Sequence, residues 1–138
     1  MPIEVQPLYQ PYFLYYRFAG RIIPEDLDLL QCDEDSLFAA IHPEQSLGVI
    51  ADVSALETIS TRLFSQLQKM RLLTDDRVCM VVVVGANPYL RALAVSLGTM
   101  TGRRDYIFRN SVDLALHALR LHPRLASGTN HQSTGNRT

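Results

Sequence analysis

The chain has 138 residues, the size of one domain, and at 47% hydrophobic it can bury a substantial core. Its net charge is −1 with 20% charged residues. That balance argues against nucleic acid as the main partner and against an acidic decoy role. The N-terminus, Met1-Pro-Ile-Glu4, lacks a basic stretch followed by an apolar run, so no signal peptide is expected. The longest apolar run, Val78 to Ala86, is far shorter than the roughly 20 residues of a membrane span, and a cytoplasmic protein is expected. Cys32 and Cys79 form no CxxC pair and are expected as reduced thiols.

Taken in order, Ile3 to Leu8 is a short strand candidate, with Pro7 in it and Pro11 forcing a break. Tyr12 to Phe18 is an aromatic strand that forms a hairpin with it, and Gly20 is expected to end that strand. Pro24 suits a helix's first turn, Glu25 and Asp26 suit its positive end, and Leu27, Leu30, Leu37, Phe38 and Ile41 recur at helical spacing. A helix is predicted from Pro24 to about Ala40, with Asp33-Glu34-Asp35 on its solvent side and Pro43 stopping it.

Leu47 to Val53 reads as a strand whose polar end is marked by Asp52 and Ser54. A polar turn follows, and Ser60 or Thr61 caps a helix with Leu63, Leu67 and Met70 on its buried stripe. After a turn at Thr74 to Arg77, the continuous β-branched run Val78 to Val84 predicts a central strand covered on both faces. Asn87 and Pro88 start the next helix and Gly98 is expected to end it. Tyr106 to Phe108 is a short strand, and Asn110 or Ser111 caps a last helix that His122-Pro123 closes. Residues 123–138 show no periodicity and are expected as a flexible tail after a domain of residues 1–122. The order is β-β-α-β-α-β-α-β-α, an α/β fold with a mixed sheet of four to five strands and flanking helices.

The chain holds no GxSxG, HExxH or P-loop. Gly85-Ala-Asn87 follows a strand as a phosphate loop would, but one glycine equally makes a strand-ending turn. His42, His117, His122 and His131 are not spaced with a cysteine or carboxylate for a metal, so neither metal nor cofactor is expected. Arg103-Arg104 reads as a solvated pair or as a holder of an anion or partner carboxylate. The tyrosines of the second strand read as packing or as an interface. Ser60 and Thr61 read as helix caps or as phosphate acceptors, where a phosphate would add nearly two negative charges beside a helix start.

Val49-Ile-Ala-Asp-Val-Ser-Ala-Leu56 resembles the strand of STAS domains that ends in an Asp-Leu-Ser pattern. Ile59-Ser-Thr-Arg-Leu63 stands where that family carries Asp-Ser-Ser-Gly with a phosphorylatable serine, making Thr61 the nearest match and Ser60 the second. Val82 to Arg91, Leu97-Gly98 and Phe108 to Leu119 resemble the family's later strand, turn and helices. The resemblance covers about Tyr12 to Leu121. It implies a STAS-like, anti-sigma-factor antagonist-like bacterial signalling module, with an anti-sigma-factor kinase or a signalling assembly as its protein partner.

The expected function is thus non-enzymatic protein binding through the junction 54–64. Asp52, Ser54, Glu57, Thr58, Arg62 and Gln66 are the expected contact residues, with Thr61 or Ser60 as phosphoacceptor. A homodimer is also compatible with the aromatic strand. The competing reading is a small-ligand protein holding a lipid or nucleotide in a groove between sheet and helices. An enzyme is not expected, since Asp52 near Ser54 and Thr61 is the one polar cluster and strand-end carboxylates usually cap turns.

Overall fold

The computed structural model describes residues 3–8 and 12–125. Pro11 and residues 126–138, which make up most of the expected tail, lie outside the described residues. The strands are β1 (Ile3–Pro7), β2 (Phe13–Ile22), β3 (Leu47–Ile59), β4 (Val78–Val84) and β5 (Tyr106–Arg109). The helices are α1 (Pro24–Ala39), α2 (Phe64–Leu67), α3 (Arg71–Thr74), α4 (Pro88–Thr101) and α5 (Val112–Leu121), and a 3-10 turn, Thr61–Leu63, precedes α2. The five strands form one sheet in the order β1-β2-β3-β4-β5. β1 pairs antiparallel with β2, and all other pairs are parallel.

The sheet order explains the layers. Each crossover from β2 to β5 steps in the same direction, and right-handed crossovers in one direction place all their helices on one face. α1 through α4 therefore share a core with Leu14, Tyr16, Val49, Val81 and Val83. Among the described residues no strand follows α5, which covers the other face, where Ala115 and Leu119 meet Phe13, Ile50 and Val82. Strand alternation sends neighbouring residues to opposite cores, so the aromatic β2 is apolar on both sides as expected. A turn at 123–125 extends this second core, with Leu125 buried in it, so the packed chain reaches at least Leu125.

Several boundaries differ from expectation for local reasons. β2 continues through Gly20 to Ile22 because β3 keeps pairing with it. α4 runs past Gly98, which lies under the Tyr106 ring, and stops at Gly102 in the left-handed region (φ 79°). The segment after Ser60 is three short helical pieces instead of one helix, with Met70 extended between α2 and α3. Asn87, Pro88 and Ser111 act at the helix starts as their chemistry requires.

Buried polar side chains hold the helical layer. Glu34, expected toward solvent, is only 1% exposed. It accepts from the Tyr16 hydroxyl on β2 and, with both oxygens, from the Arg71 backbone N–H at 3.0 Å. One carboxylate thus ties α1 to the sheet and satisfies a free N–H at the start of α3. Burial pushes the Glu34 carboxyl up, more than its donors pull it down. Burial, then the facing carboxylate, pushes the Tyr16 phenol well above its usual value. α1 has no basic residue in its last turn; Arg77 supplies the cation, donating to the carbonyls of Phe38 (3.1 Å) and Ile41 (2.9 Å) while pairing with Asp75 at 2.9 Å.

Tyr16→Phe keeps the ring but leaves Glu34 short of a donor, and should cost about 1–3 kcal/mol in urea unfolding. A carboxyl whose folded pKa is raised contributes stability below its unfolded value and loses it as pH rises through the folded one. As pH rises above the ordinary carboxyl value the wild-type urea midpoint should therefore fall relative to Glu34→Gln. Parallel pH profiles for the two proteins would contradict this account of Glu34.

Candidate functional site

β3 is the longest strand, and it outruns the sheet. Asp52 pairs with Val84, the last residue of β4, so from Val53 onward β2 is its remaining neighbour. Two register shifts each add one residue to β3: Arg17–Ala19 faces Asp52–Ala55, and Gly20–Arg21 faces Leu56–Thr58. Such bulges bend and twist a strand. The expected turn at 54–59 is thus a projecting two-stranded ribbon that carries the chain to Ser60. The Tyr89 hydroxyl, at the start of α4, donates to the Ile59 carbonyl at 3.4 Å and holds the ribbon's tip.

Asp52 sits where the ribbon leaves the sheet and is 8% exposed. Its Oδ1 accepts from the Ser54 hydroxyl (2.6 Å) and backbone N–H (3.0 Å), and its Oδ2 accepts from the Tyr15 hydroxyl (2.6 Å). Burial pushes the Asp52 carboxyl up, but the hydrogen bonds from Ser54 and Tyr15 outweigh it and hold the group below the usual carboxylate range. Burial and the same carboxylate push the Tyr15 phenol up to about 12, so it stays a donor. A carboxylate this well satisfied is a poor general base, so the cluster fixes backbone shape instead of activating Ser54. Gly85 turns away from β4 directly against it: φ is 75°, and a Cβ there would lie 2.5 Å from the Ser54 Cβ. This is a crowded turn, not a phosphate loop.

The second polar group lies at the far end of the ribbon, six residues on from Ser54 at Ser60. Ser60 is the cap of the 3-10 turn, its Oγ accepting from the Arg62 backbone N–H at 3.1 Å. Thr61 and Arg62 are exposed, and the Thr61 hydroxyl makes no hydrogen bond among the described residues. Gln66 reaches α1, donating to Asp28 at 3.4 Å. Glu57 and Thr58 are exposed on the ribbon between the two groups, Thr58 opposite Arg21. The structure therefore brings Ser60, Thr61, Arg62 and Gln66 together and separates them from Asp52 and Ser54.

Sequence reasoning missed Tyr15, Tyr89 and Met100. Tyr15 was signalled by its alternation with the core residues Leu14 and Tyr16. Tyr89 and Met100 are apolar residues on α4 that are 53% and 60% exposed. Met100 reaches α2, where the Gln68 side-chain amide meets its sulfur at 3.8 Å. Tyr89 thus stands beside the ribbon tip, and Met100 at the far end of α4 beside Gln68.

Between the sheet and α2–α4 lies a cavity of about 100 Å3 with an almost wholly apolar lining. Arg103 borders it, but its guanidinium is committed to the carbonyls of Leu73, Val78 and Asp75 and to the Asp105 carboxylate. Arg103 is therefore a structural staple and not half of an open anion-binding pair. Cys79 belongs to the core, with burial pushing its thiol up. Among the described residues, no group of three metal-ligating side chains occurs and no helix is long and apolar enough to cross a membrane.

Two glycines separate conformational strain from contact. Gly102 also has positive φ but nothing within 4 Å of an added Cβ. Gly102→Ala should cost about 1–2 kcal/mol from backbone strain. Gly85→Ala should cost more, because Ser54 must also move. Equal losses in thermal or urea unfolding would show that the Gly85–Ser54 approach is not tight.

By sequence, the chain matches no family model and no curated protein. By structure it is similar to three solved proteins. One is an uncharacterized protein of the DUF3478 family with a SpoIIAA-like fold from Shewanella loihica PV-4 (TM-score 0.66, 17% identity, 85% of this chain and 91% of that one). Another is an anti-sigma factor antagonist from Mycobacterium paratuberculosis (TM-score 0.52, 17% identity, 86% and 92%). The third is the anti-sigma factor antagonist SpoIIAA in its unphosphorylated form (TM-score 0.55, 7% identity, 87% and 99%). At these identities the likeness is one of fold, and with the sheet order and layers it identifies a single STAS-like α/β domain.

Proposed function

We propose that this domain is a non-enzymatic regulatory module that binds a protein partner through the end of the ribbon and the turn that follows, residues 54–64. The observation that carries the reading is the exposed Ser60-Thr61-Arg62 turn held out at the tip of β3, with the uncommitted Thr61 hydroxyl at its centre and the exposed Tyr89 against the tip. Interfaces favour such a mixture of aromatic and arginine side chains. The shared fold with anti-sigma factor antagonists supports a protein partner, and the partner proposed here is an anti-sigma-factor kinase or a related signalling assembly.

Thr61 is the better phosphoacceptor of the two. Ser60 Oγ already accepts a backbone hydrogen bond and its modification would disturb a cap, whereas a phosphate on Thr61 would meet no existing bond. Such a phosphate would place nearly two negative charges on the proposed contact surface and oppose an acidic partner. In the notional complex Glu57, Thr58, Arg62 and Gln66 contact the partner, while Asp52 and Ser54 act indirectly by setting the ribbon's angle.

Incubation with a kinase of the anti-sigma-factor type and ATP, followed by intact-mass measurement, should add one phosphate that Thr61→Ala removes and Ser60→Ala retains. A mass gain that survives the double substitution would remove the switch. A second reading, a small-ligand site between sheet and helices, is favoured by the apolar cavity, whose lining suits an alkyl group and not a nucleotide.

A further inference from the structure

The cavity lies between the sheet, α4 and the segment that follows the proposed partner surface. Protein interiors leave few voids larger than a water molecule, and apolar voids stay dry. This one sits where the cover over β3 and β4 is broken into the 3-10 turn, α2 and α3, pieces of three to four residues each. Such pieces have little stability of their own and depend on what their inner side chains touch. Leu56, Ile59, Leu67, Met70 and Leu72 line the cavity, and along the chain they flank the exposed Ser60, Thr61 and Arg62 and the half-buried Gln66.

We infer that the cavity is a binding site for a short unbranched alkyl chain, and that filling it resets the Ser60–Gln66 surface. The second half rests on the partner-binding reading above. Size and chemistry select the ligand class. An engineered cavity of about 150 Å3 takes up benzene, so about 100 Å3 accommodates a fragment of about four carbons. The lining offers no uncommitted charge, because Arg103 already donates to four acceptors, so a charged or nucleotide ligand has no counterpart. Half-buried Leu56, Leu93 and Ala94 bring the cavity to the surface, where the polar end of the chain remains in water. An occupant adds contacts to the inner sides of α2 and Met70 that the empty site lacks, and so favours one arrangement of the turn over others.

The test titrates the full chain with n-pentanol while methyl and amide NMR shifts are recorded. The methyls of Leu56, Ile59, Leu67 and Leu93 should shift saturably, and the amides of Ser60 to Gln66 should follow the same curve. Ala94→Phe, which places a ring in the cavity, should weaken the response by at least about tenfold. Ala51→Leu, filling the site from β3, serves if Ala94→Phe fails to fold. A response that does not saturate, or that survives both filling substitutions, would overturn the site. Saturable methyl shifts with unmoved Ser60–Gln66 amides would overturn the coupling. No partner is present in these titrations, so failure of the partner-binding reading leaves their outcome unchanged.

Discussion

The organisation of this domain depends on one strand being longer than its neighbours. β3 is a central parallel strand up to Asp52 and half of a projecting ribbon beyond it. The change occurs where β4 ends at Val84, and three interactions there direct the ribbon: the Tyr15 and Ser54 hydroxyls on the Asp52 carboxylate, and the close approach of Gly85 to Ser54. Because Asp52 is held ionised by its donors, its geometry is insensitive to pH until acid protonates it. The polar residues nearest the sheet therefore fix the ribbon's direction, and Ser60, Thr61 and Arg62 at its tip are exposed.

The helical layer shows the complementary arrangement. Its inner positions are tied by ionisable groups that reach backbone atoms: Glu34 on the start of α3, Arg77 on the end of α1, and Arg103 on α3 and β4. Burying such groups is tolerated because each is hydrogen-bonded to several partners. They fix α3, and the segment between β3 and α3, broken into short helical pieces, is where the cavity and the exposed hydroxyls lie. Rigid anchors on both sides of a short, fragmented segment suit an element that changes conformation when something binds.

The sequence made most of this fold legible, because hydrophobic period and helix caps are local signals. The β-branched run of β4, the caps at Asn87 and Ser111 and the alternation of β2 each required their element. What was not legible depends on partners distant in the chain. Nothing local distinguishes Glu34 from its neighbours Asp33 and Asp35; its burial follows from Tyr16 and Arg71, 18 and 37 residues away. Likewise 54–59 reads as a turn until β2 is known to run past Gly20 and pair with it. The expected contact residues were found as a stretch, but their division into a base and a tip follows from the length of the ribbon.

The central claim is that the ribbon tip and the adjoining strip of α4 form the partner surface. Amide hydrogen exchange of the chain alone and with an anti-sigma-factor-type kinase tests it most directly. The account predicts protection at residues 56–66 and at the start of α4, with α5 and β1 unchanged. Protection confined to α5 or to the β1–β2 hairpin would contradict it.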